Sequence, residues 1–166
     1  MDMGLDAELS NLALRIASAL RARQQTLAIV ESSAGGLINA AMVAVPGASA
    51  YYLGGCVVYT AASREGLLGI SALNMSGIRS ASEPYASMTA ERVRAKLGAT
   101  WGLGETGASG PRGNRYGDAA GHACFAVRGP VEAVITVETR SADREANMRT
   151  FARHALELLQ MCVEKA

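Results

Sequence analysis

The sequence predicts an α/β sandwich, in which a mixed sheet carries helices on both faces. Two observations predict it. Helical segments alternate with short apolar segments of strand length early in the chain, and an alternating strand pair follows late, over 122–128 and 131–139, joined by a Gly129-Pro130 turn. The length of 166 residues fits a single domain over 1–166, which can fold without a metal or a disulfide.

The individual elements follow from residue spacing and from boundary residues. The first helix is predicted over 5–22, because its leucines and Ile16 are spaced three or four residues apart and so share one face. Glycines and a proline leave 107–121 without a regular element, and 70–83 is predicted as a loop. The remaining helices are predicted over 37–45, 64–68, 84–97 and 143–163, and the remaining strands over 26–30, 51–59 and 100–106.

Composition limits the classes of function. Hydrophobic residues make up 49% and charged residues 19%, which excludes a disordered chain, and a net charge of +1 leaves no basic surface for nucleic acid or an anionic membrane. No segment resembles a signal peptide or approaches the length of a membrane span. The cysteines, Cys56, Cys124 and Cys162, lie apart in apolar segments, which predicts free thiols, no metal site and a cytoplasmic protein.

A serine-containing segment, Glu31 to Gly36, lies between a predicted strand and a predicted helix. In a sheet of this kind, ligands bind beyond the carboxyl ends of the strands, and small residues allow the backbone to approach them. A serine here is suited to act as a nucleophile or as an anion ligand. The alternative is that Ser32 or Ser33 caps the following helix.

The segment Gly102 to Gly107 matches the dinucleotide-binding pattern GxGxxG. That pattern must open a helix, and the Ala-Ser-Gly-Pro-Arg-Gly that follows here is incompatible with one. We therefore reject a dinucleotide site. Two predictions remain for the segment from Thr106 to Pro111. It is either a loop whose hydroxyls and N–H groups bind an anion, or an ordinary surface loop.

Three further residues are candidates for chemistry. Tyr59 ends a predicted strand and Arg64 follows it, so that together they can position and polarise a ligand near the serine segment. Each is also compatible with a structural role on its own. His122 begins a strand next to the glycine-rich loop, and it is a candidate general base if that loop forms part of the site.

These segments, taken in order, resemble the C-terminal domain of the CinA family (competence/damage-inducible protein A) over about 5–163. The family's A-E-S-C-T-G-G is similar to the segment ending at Gly36, and its G-x-V-x-Y-S-N-x-x-K is similar to Gly55 through Arg64. Its V-P-G-S-S, V-S-E, T-G-I-A-G-P and G-D-R are similar to the segments beginning at Val45, Ala81, Thr106 and Ala142. The resemblance implies a three-layer α/β/α sandwich.

The resemblance also implies an activity, the deamidation of nicotinamide mononucleotide to nicotinate mononucleotide and ammonia in pyridine nucleotide metabolism, with no cofactor. It implies that Ser32 is the nucleophile, that Tyr59 and Arg64 occupy the positions of the residues that activate it, and that Arg144 holds the phosphate by a bidentate contact. Backbone N–H groups after Ser32 are expected to stabilise the oxyanion. The other substrate-binding residues implied are Ser33, Gly35, Gly36, Thr106, Gly107, Ser109 and Gly110.

The chain departs from the family pattern inside this site. The family's lysine is Arg64, which cannot act as a base because a guanidinium does not lose its proton in proteins. Ser33-Ala34 replaces Cys-Thr, and Ala61 replaces Asn. The glycine-rich loop is changed over 112–116, where Arg112 and Arg115 add capacity for anions.

These departures leave three functions open. The first is an amidohydrolase that acts on a nicotinamide-nucleotide-like substrate. The second is a catalytically degenerate relative that binds a nucleotide or another phosphate-bearing ligand. The third is a structural partner without a ligand. The apolar stripes of the terminal helices predict either packing in the domain's own core or a homodimer.

Overall fold

The sheet has five strands in the order β2-β1-β3-β4-β5. The computed structural model describes residues 6–166, so Leu5 of the first predicted helix lies outside the described residues. The strands are β1 (Leu27–Glu31), β2 (Tyr52–Val57), β3 (Trp101–Ala108), β4 (His122–Arg128) and β5 (Ala133–Glu138). The first three run parallel, and β4 and β5 are antiparallel to their neighbours, which confirms the mixed sheet.

Helices cover both faces of the sheet and produce the predicted three layers. On one face, a large apolar core joins the sheet to the first, second and last helices, whereas smaller clusters pack the other face. In β1, Leu27 and Ile29 belong to the large core, and Ala28 and Val30 belong to a smaller cluster. The helices are α1 (Ala7–Ala22), α2 (Leu37–Val43), α3 (Ala61–Leu68), α4 (Glu83–Leu97) and α5 (Arg144–Lys165).

Two glycines in β3 explain why the sequence matches the dinucleotide pattern. A Cβ on Gly102 would lie 2.1 Å from the Ala90 carbonyl oxygen, and one on Gly104 would lie 2.3 Å from that of Ala86. Both carbonyls belong to α4, so these glycines allow the helix to lie close against the strand. They lie inside β3 rather than at a turn from strand to helix, and the pattern here serves packing.

The predicted helices and strands are all present, with small differences at their ends. The helix predicted over 64–68 begins at Ala61, because Thr60 and Ser63 form a capping box at its start. The prediction that 107–121 has no regular element is wrong for Gly107 and Ala108, which continue β3 by pairing with β4. The Gly129-Pro130 turn is confirmed as the connection between the antiparallel strands β4 and β5.

Other sequence predictions concern the cysteines and the possible binding of metal or membrane. All three cysteines are free thiols as predicted; Cys124 and Cys162 are buried, and Cys56 is half-buried. Within residues 6–166, no helix has the length and hydropathy needed to cross a bilayer. The same residues include no group of three or more His, Cys, Asp and Glu side chains placed to hold a metal ion.

Candidate active site

A cavity of about 490 Å³ opens at the carboxyl ends of the parallel strands, where ligands bind in sheets of this kind. It brings together five of the residues predicted from the sequence: Ser32, Tyr59, Arg64, Thr106 and Gly107. The rest of its wall is formed by Val58, Thr60, Ala61, Ser80, Ala81, Tyr85, Asn114, Arg115 and Tyr116. The loop 31–36, here called the serine loop, and the loop 112–118, here called the arginine loop, both contribute to it.

The serine loop is held from its first residue by Glu31. This buried carboxylate accepts hydrogen bonds from the backbone N–H groups of Gly36 and Asn39, both at 2.8 Å, and from that of Ile38 at 3.3 Å. Burial raises the pKa of Glu31, and these hydrogen bonds oppose that increase. Glu31 therefore occupies the amides at the start of α2, so they are not free for a ligand.

A second buried carboxylate, Glu105 of β3, lies directly beneath the serine loop. It accepts from the N–H of Ser32 at 2.8 Å and from that of Ala34 at 3.0 Å, and the Ser33 hydroxyl donates to its other oxygen. Burial raises its pKa to about 7, against the opposing effect of these three hydrogen bonds. Glu105 thus fixes the backbone on both sides of Ser33.

This arrangement distinguishes the two serines. The Ser33 hydroxyl is buried and bound to Glu105, so it points away from the cavity. The Ser32 hydroxyl has no hydrogen-bond partner among residues 6–166, and Ser32 lines the cavity. Capping of the α2 N-terminus, the structural alternative for both serines, is not observed, because the cap position is Gly36, without a side-chain bond.

The expected oxyanion donors are largely engaged within the loop. The N–H groups of Ser32 and Ala34 go to Glu105, that of Gly35 goes to the Ser32 carbonyl at 3.1 Å, and that of Gly36 goes to Glu31. The amide of Ser33 is the one in this set without an acceptor among the described residues. Gly35 and Gly36 both have positive φ and shape the turn outside the cavity wall.

Tyr59 is joined to the last helix by Arg144. One guanidinium nitrogen donates to the Tyr59 phenolic oxygen at 2.7 Å, and another donates to the Gly110 carbonyl at 2.6 Å. Arg144 lies behind Tyr59 rather than in the cavity wall. Because Arg144 supplies a donor to the phenolic oxygen, the phenolic proton of Tyr59 is available to another partner.

Arg64 reaches the cavity from the first turns of α3. Its Nε donates to the Ile70 carbonyl at 3.1 Å, which leaves the other guanidinium N–H groups available. Its charge also acts on the phenol of Tyr85, whose pKa is raised by burial and lowered to a smaller extent by Arg64. Arg64 therefore contributes a permanent positive charge to the cavity wall.

The predicted residues of β3 and the following loop are divided between the cavity and the protein interior. Thr106 lines the cavity, and its Oγ1 accepts a hydrogen bond from the N–H of Ala81 at 3.1 Å. Ser109 is buried and its carbonyl accepts from Asn147 at 2.8 Å, while Gly110 has its carbonyl bound to Arg144. The structure thus places Ser109 and Gly110 behind the cavity wall.

His122 does not lie in the cavity wall, contrary to what a general base requires. Its Nδ1 is hydrogen-bonded to Glu138, and its Nε2 lies 2.9 Å from the Ala81 carbonyl and 3.7 Å from Asp118. Burial alone would lower its pKa, but the contacts with Glu138, Ala81 and Asp118 raise it. With acceptors at both ring nitrogens, His122 supports the loop at Ala81.

Sequence reasoning missed Glu105 and Tyr85. The signal for Glu105 was available, because it is the one charged residue in the buried strand β3, and a buried carboxylate requires donors. Tyr85 lies in the first turn of α4, which sequence spacing does not connect with β1. The changed loop 112–116 was placed in the site by the resemblance, and the structure puts Arg115 in the cavity wall but leaves Arg112 outside it.

A mixed sheet with helices on both faces and a serine-lined cavity at its carboxyl edge defines an α/β protein with a candidate site at that edge. A family model, the CinA C-terminal domain, matches residues 9–163, and the chain belongs to this family. CinA-like proteins of Anaeromyxobacter sp. and Gloeobacter violaceus are 36% and 37% identical, over 89% and 95% of this chain. The chain spans 36% and 38% of the length of those relatives.

Solved structures support the same fold. A CinA superfamily protein from Klebsiella pneumoniae superposes with a TM-score of 0.87 at 26% identity, covering 95% of this chain and 99% of that one. One from Escherichia coli gives a TM-score of 0.86 at 26% identity, covering 97% and 94%. The three-layer sandwich predicted from the resemblance is therefore confirmed.

Proposed function

We propose that this chain is an amidohydrolase that deamidates a nicotinamide-nucleotide-like substrate, with nicotinamide mononucleotide as the reference compound. The observation that carries the proposal is the Ser32 hydroxyl, which has no hydrogen-bond partner among residues 6–166 and lines the same cavity as Tyr59 and Thr106. A hydroxyl held on a rigid loop at a ligand cavity is suited to attack an amide carbon.

The reaction proceeds in two stages. Ser32 Oγ forms a bond to the carboxamide carbon and gives up its proton, which is passed on to the amide nitrogen. The carbon–nitrogen bond then breaks and the nitrogen leaves as ammonia. A water molecule next adds its oxygen to the acyl carbon and one of its protons returns to Ser32 Oγ, so that the bond to Ser32 breaks and the carboxylic acid is released. The Ser33 N–H and the Arg64 guanidinium are the donors available to the oxyanion.

The proton acceptor is the point at which this chain departs most from its family. Arg64 stays protonated, and the cavity wall has no lysine, histidine or carboxylate among the described residues. The phenols are therefore the remaining groups that can exchange a proton with Ser32. Tyr59 is the one assigned this role, because Arg144 holds its phenolic oxygen in place by a hydrogen bond of 2.7 Å.

The composition of the cavity wall also favours a second candidate, a relative that binds a phosphorylated ligand without turnover. A wall with two arginines and no group that ordinarily titrates near neutral pH suits anion binding better than proton transfer. The two candidates make opposite predictions for turnover and the same prediction for binding.

The deciding experiment measures ammonia release from nicotinamide mononucleotide by the wild type, Ser32→Ala, Arg64→Lys and the control Ser49→Ala, which alters an exposed serine outside the cavity. We expect Ser32→Ala to lower kcat by about 1000-fold or more and Ser49→Ala to leave it unchanged. We expect Arg64→Lys to raise kcat, because a lysine can lose its proton.

Turnover that survives in Ser32→Ala would overturn the assignment of the nucleophile. No turnover by the wild type, together with thermal stabilisation by the same nucleotide, would establish the binding protein instead. Turnover that appears only in Arg64→Lys would show that Arg64 prevents catalysis and that the rest of the site is competent for it.

A further inference from the structure

The charges in the cavity wall are all of one sign. Arg64 and Arg115 are its charged residues, and no carboxylate belongs to the wall among residues 6–166. Positive groups with no counter-charge at a concave surface attract anionic ligands. A ligand for this cavity therefore carries negative charge.

The nearby arginines are used in different ways. Arg79 forms a bidentate ion pair with Asp118, at 2.6 and 3.0 Å, and Arg144 is bound to Gly110 and Tyr59. Arg115 makes no ion pair among the described residues and is exposed, with one hydrogen bond from its guanidinium to the Tyr116 hydroxyl at 3.0 Å. Of these three guanidiniums, that of Arg115 is the most available to a ligand.

Arg115 is nevertheless held in place. Its guanidinium lies 5.1 Å from the centre of the Tyr116 ring, and that of Arg79 lies 5.3 Å from the same ring. The hydrogen bond from Arg115 also lowers the pKa of the Tyr116 phenol. The guanidinium and the aromatic ring thus form one unit at the cavity.

The turn beneath this unit is defined by Asn114. Its side-chain oxygen accepts from the N–H groups of Tyr116 at 2.9 Å and Asp118 at 3.2 Å, and its amide nitrogen donates to the Asp118 carboxylate at 2.7 Å. Since the turn is already formed, binding does not require the loop to be ordered first. A preformed arginine on an aromatic surface is suited to recognise an anionic group attached to a ring system.

We propose that Arg115, stacked on Tyr116, binds the phosphate of a phosphomonoester ligand, while Arg144 acts on the site only through Tyr59. This inference rests on the proposed function, because it places the amide at Ser32 and the opposite, phosphorylated end of the ligand at the arginine loop. Arg115 determines specificity by distinguishing a nucleotide from its nucleoside.

The test compares binding of two pairs of ligands by calorimetry: nicotinamide mononucleotide with nicotinamide riboside, and adenosine monophosphate with adenosine. Every protein carries Ser32→Ala, so that no amide is consumed. Arg115→Gln and Arg115→Lys are compared with Arg112→Gln, which removes the same charge from the same loop at a residue outside the cavity wall. Unchanged riboside affinity serves as the check that the loop still folds.

We expect Arg115→Gln to weaken binding of nicotinamide mononucleotide by about 10- to 100-fold and that of the riboside by less than about 2-fold. Arg115→Lys restores part of the loss, and Arg112→Gln has little effect. Equal losses for nucleotide and nucleoside, or equal effects of Arg112→Gln and Arg115→Gln, would overturn the assignment.

The two proposals fail separately. If adenosine monophosphate binds in an Arg115-dependent way and nicotinamide mononucleotide does not bind, the phosphate subsite is supported and the proposed function is overturned. A separate assay uses proteins that keep Ser32. If these deamidate nicotinamide mononucleotide with a KM that Arg115→Gln does not change, the proposed function is supported and the phosphate subsite is overturned. If neither monophosphate binds more tightly than its nucleoside, the subsite is overturned whatever the turnover.

Discussion

The serine loop and the arginine loop line one cavity, yet different forces hold them. The serine loop is attached to the sheet through two buried carboxylates, Glu31 and Glu105, which accept its backbone N–H groups. The arginine loop is attached to the rest of the protein through Asp118, which pairs with the 41% exposed Arg79 and lies 3.7 Å from His122 Nε2. One loop depends on buried hydrogen bonds and the other depends on a partly exposed ion pair.

The difference has a consequence for function. A buried carboxylate that loses its donors, or buried amides that lose their acceptor, have no water to replace them, so the serine loop has no low-energy alternative. An exposed ion pair exchanges its partner for water at little cost. Residues of the arginine loop can therefore be changed to alter ligand binding without unfolding the protein, whereas the serine loop provides the fixed geometry that chemistry requires.

The largest expected effect tests how strongly Glu105 stabilises the serine loop. Glu105→Ala should lower the free energy of unfolding by about 3–5 kcal/mol, because it leaves a cavity and removes the acceptor for the N–H groups of Ser32 and Ala34. Urea denaturation followed by circular dichroism measures this. A loss no greater than that of Arg79→Gln would remove the distinction between the two loops.

A smaller effect tests whether the charge of Glu105 matters. The pKa of Glu105 is about 7 in the folded protein, above the ordinary 4.5 expected on unfolding, so the folded state retains a proton that the unfolded state has lost. The contribution of this group to stability is therefore present below pH 4.5 and is lost as the pH rises to about 7. The linked change is about 3 kcal/mol.

Glu105→Gln isolates this change. The glutamine oxygen can still accept from Ser32 and Ala34, and its amide nitrogen can donate to the Ser33 hydroxyl, so the geometry is kept without a titrating group. We expect the difference in unfolding free energy between the wild type and Glu105→Gln to change by about 3 kcal/mol between pH 5 and 8. The wild type should be the less stable of the two, relative to their difference at pH 5, when the pH reaches 8. A difference independent of pH would show that Glu105 does not titrate in this range.

The smallest effect concerns the arginine loop. Arg79→Gln should lower the unfolding free energy by no more than about 1 kcal/mol, and the difference should shrink when salt is raised from about 0.05 M to 1 M. Hydrogen exchange should increase at 114–118 and remain unchanged at 31–36. Faster exchange in both loops would mean that they are coupled rather than independently held.

Much of the site was predictable because short patterns determine local structure. Ser32, Tyr59 and Thr106 each end or follow a predicted strand, and parallel strands end at the same edge of a sheet, so their approach to one cavity follows from the order of elements. The roles of Glu105 and Arg144 were not predictable in the same way. Glu105 acts on residues more than seventy positions earlier in the chain, and Arg144 bonds to Tyr59 across 85 positions.

The sequence by itself determined the fold class, the succession of helices and strands, the CinA family and the serine at the end of β1, because residue spacing, caps and short motifs act over a few residues. Only the tertiary structure decided that Ser32 rather than Ser33 faces the cavity, that Arg144 supports Tyr59, and that Arg115 lies at the cavity without an ion-pair partner in the described part of the chain. Those outcomes depend on which distant donors and acceptors become neighbours when the chain packs, and buried polar groups accept only arrangements that satisfy them.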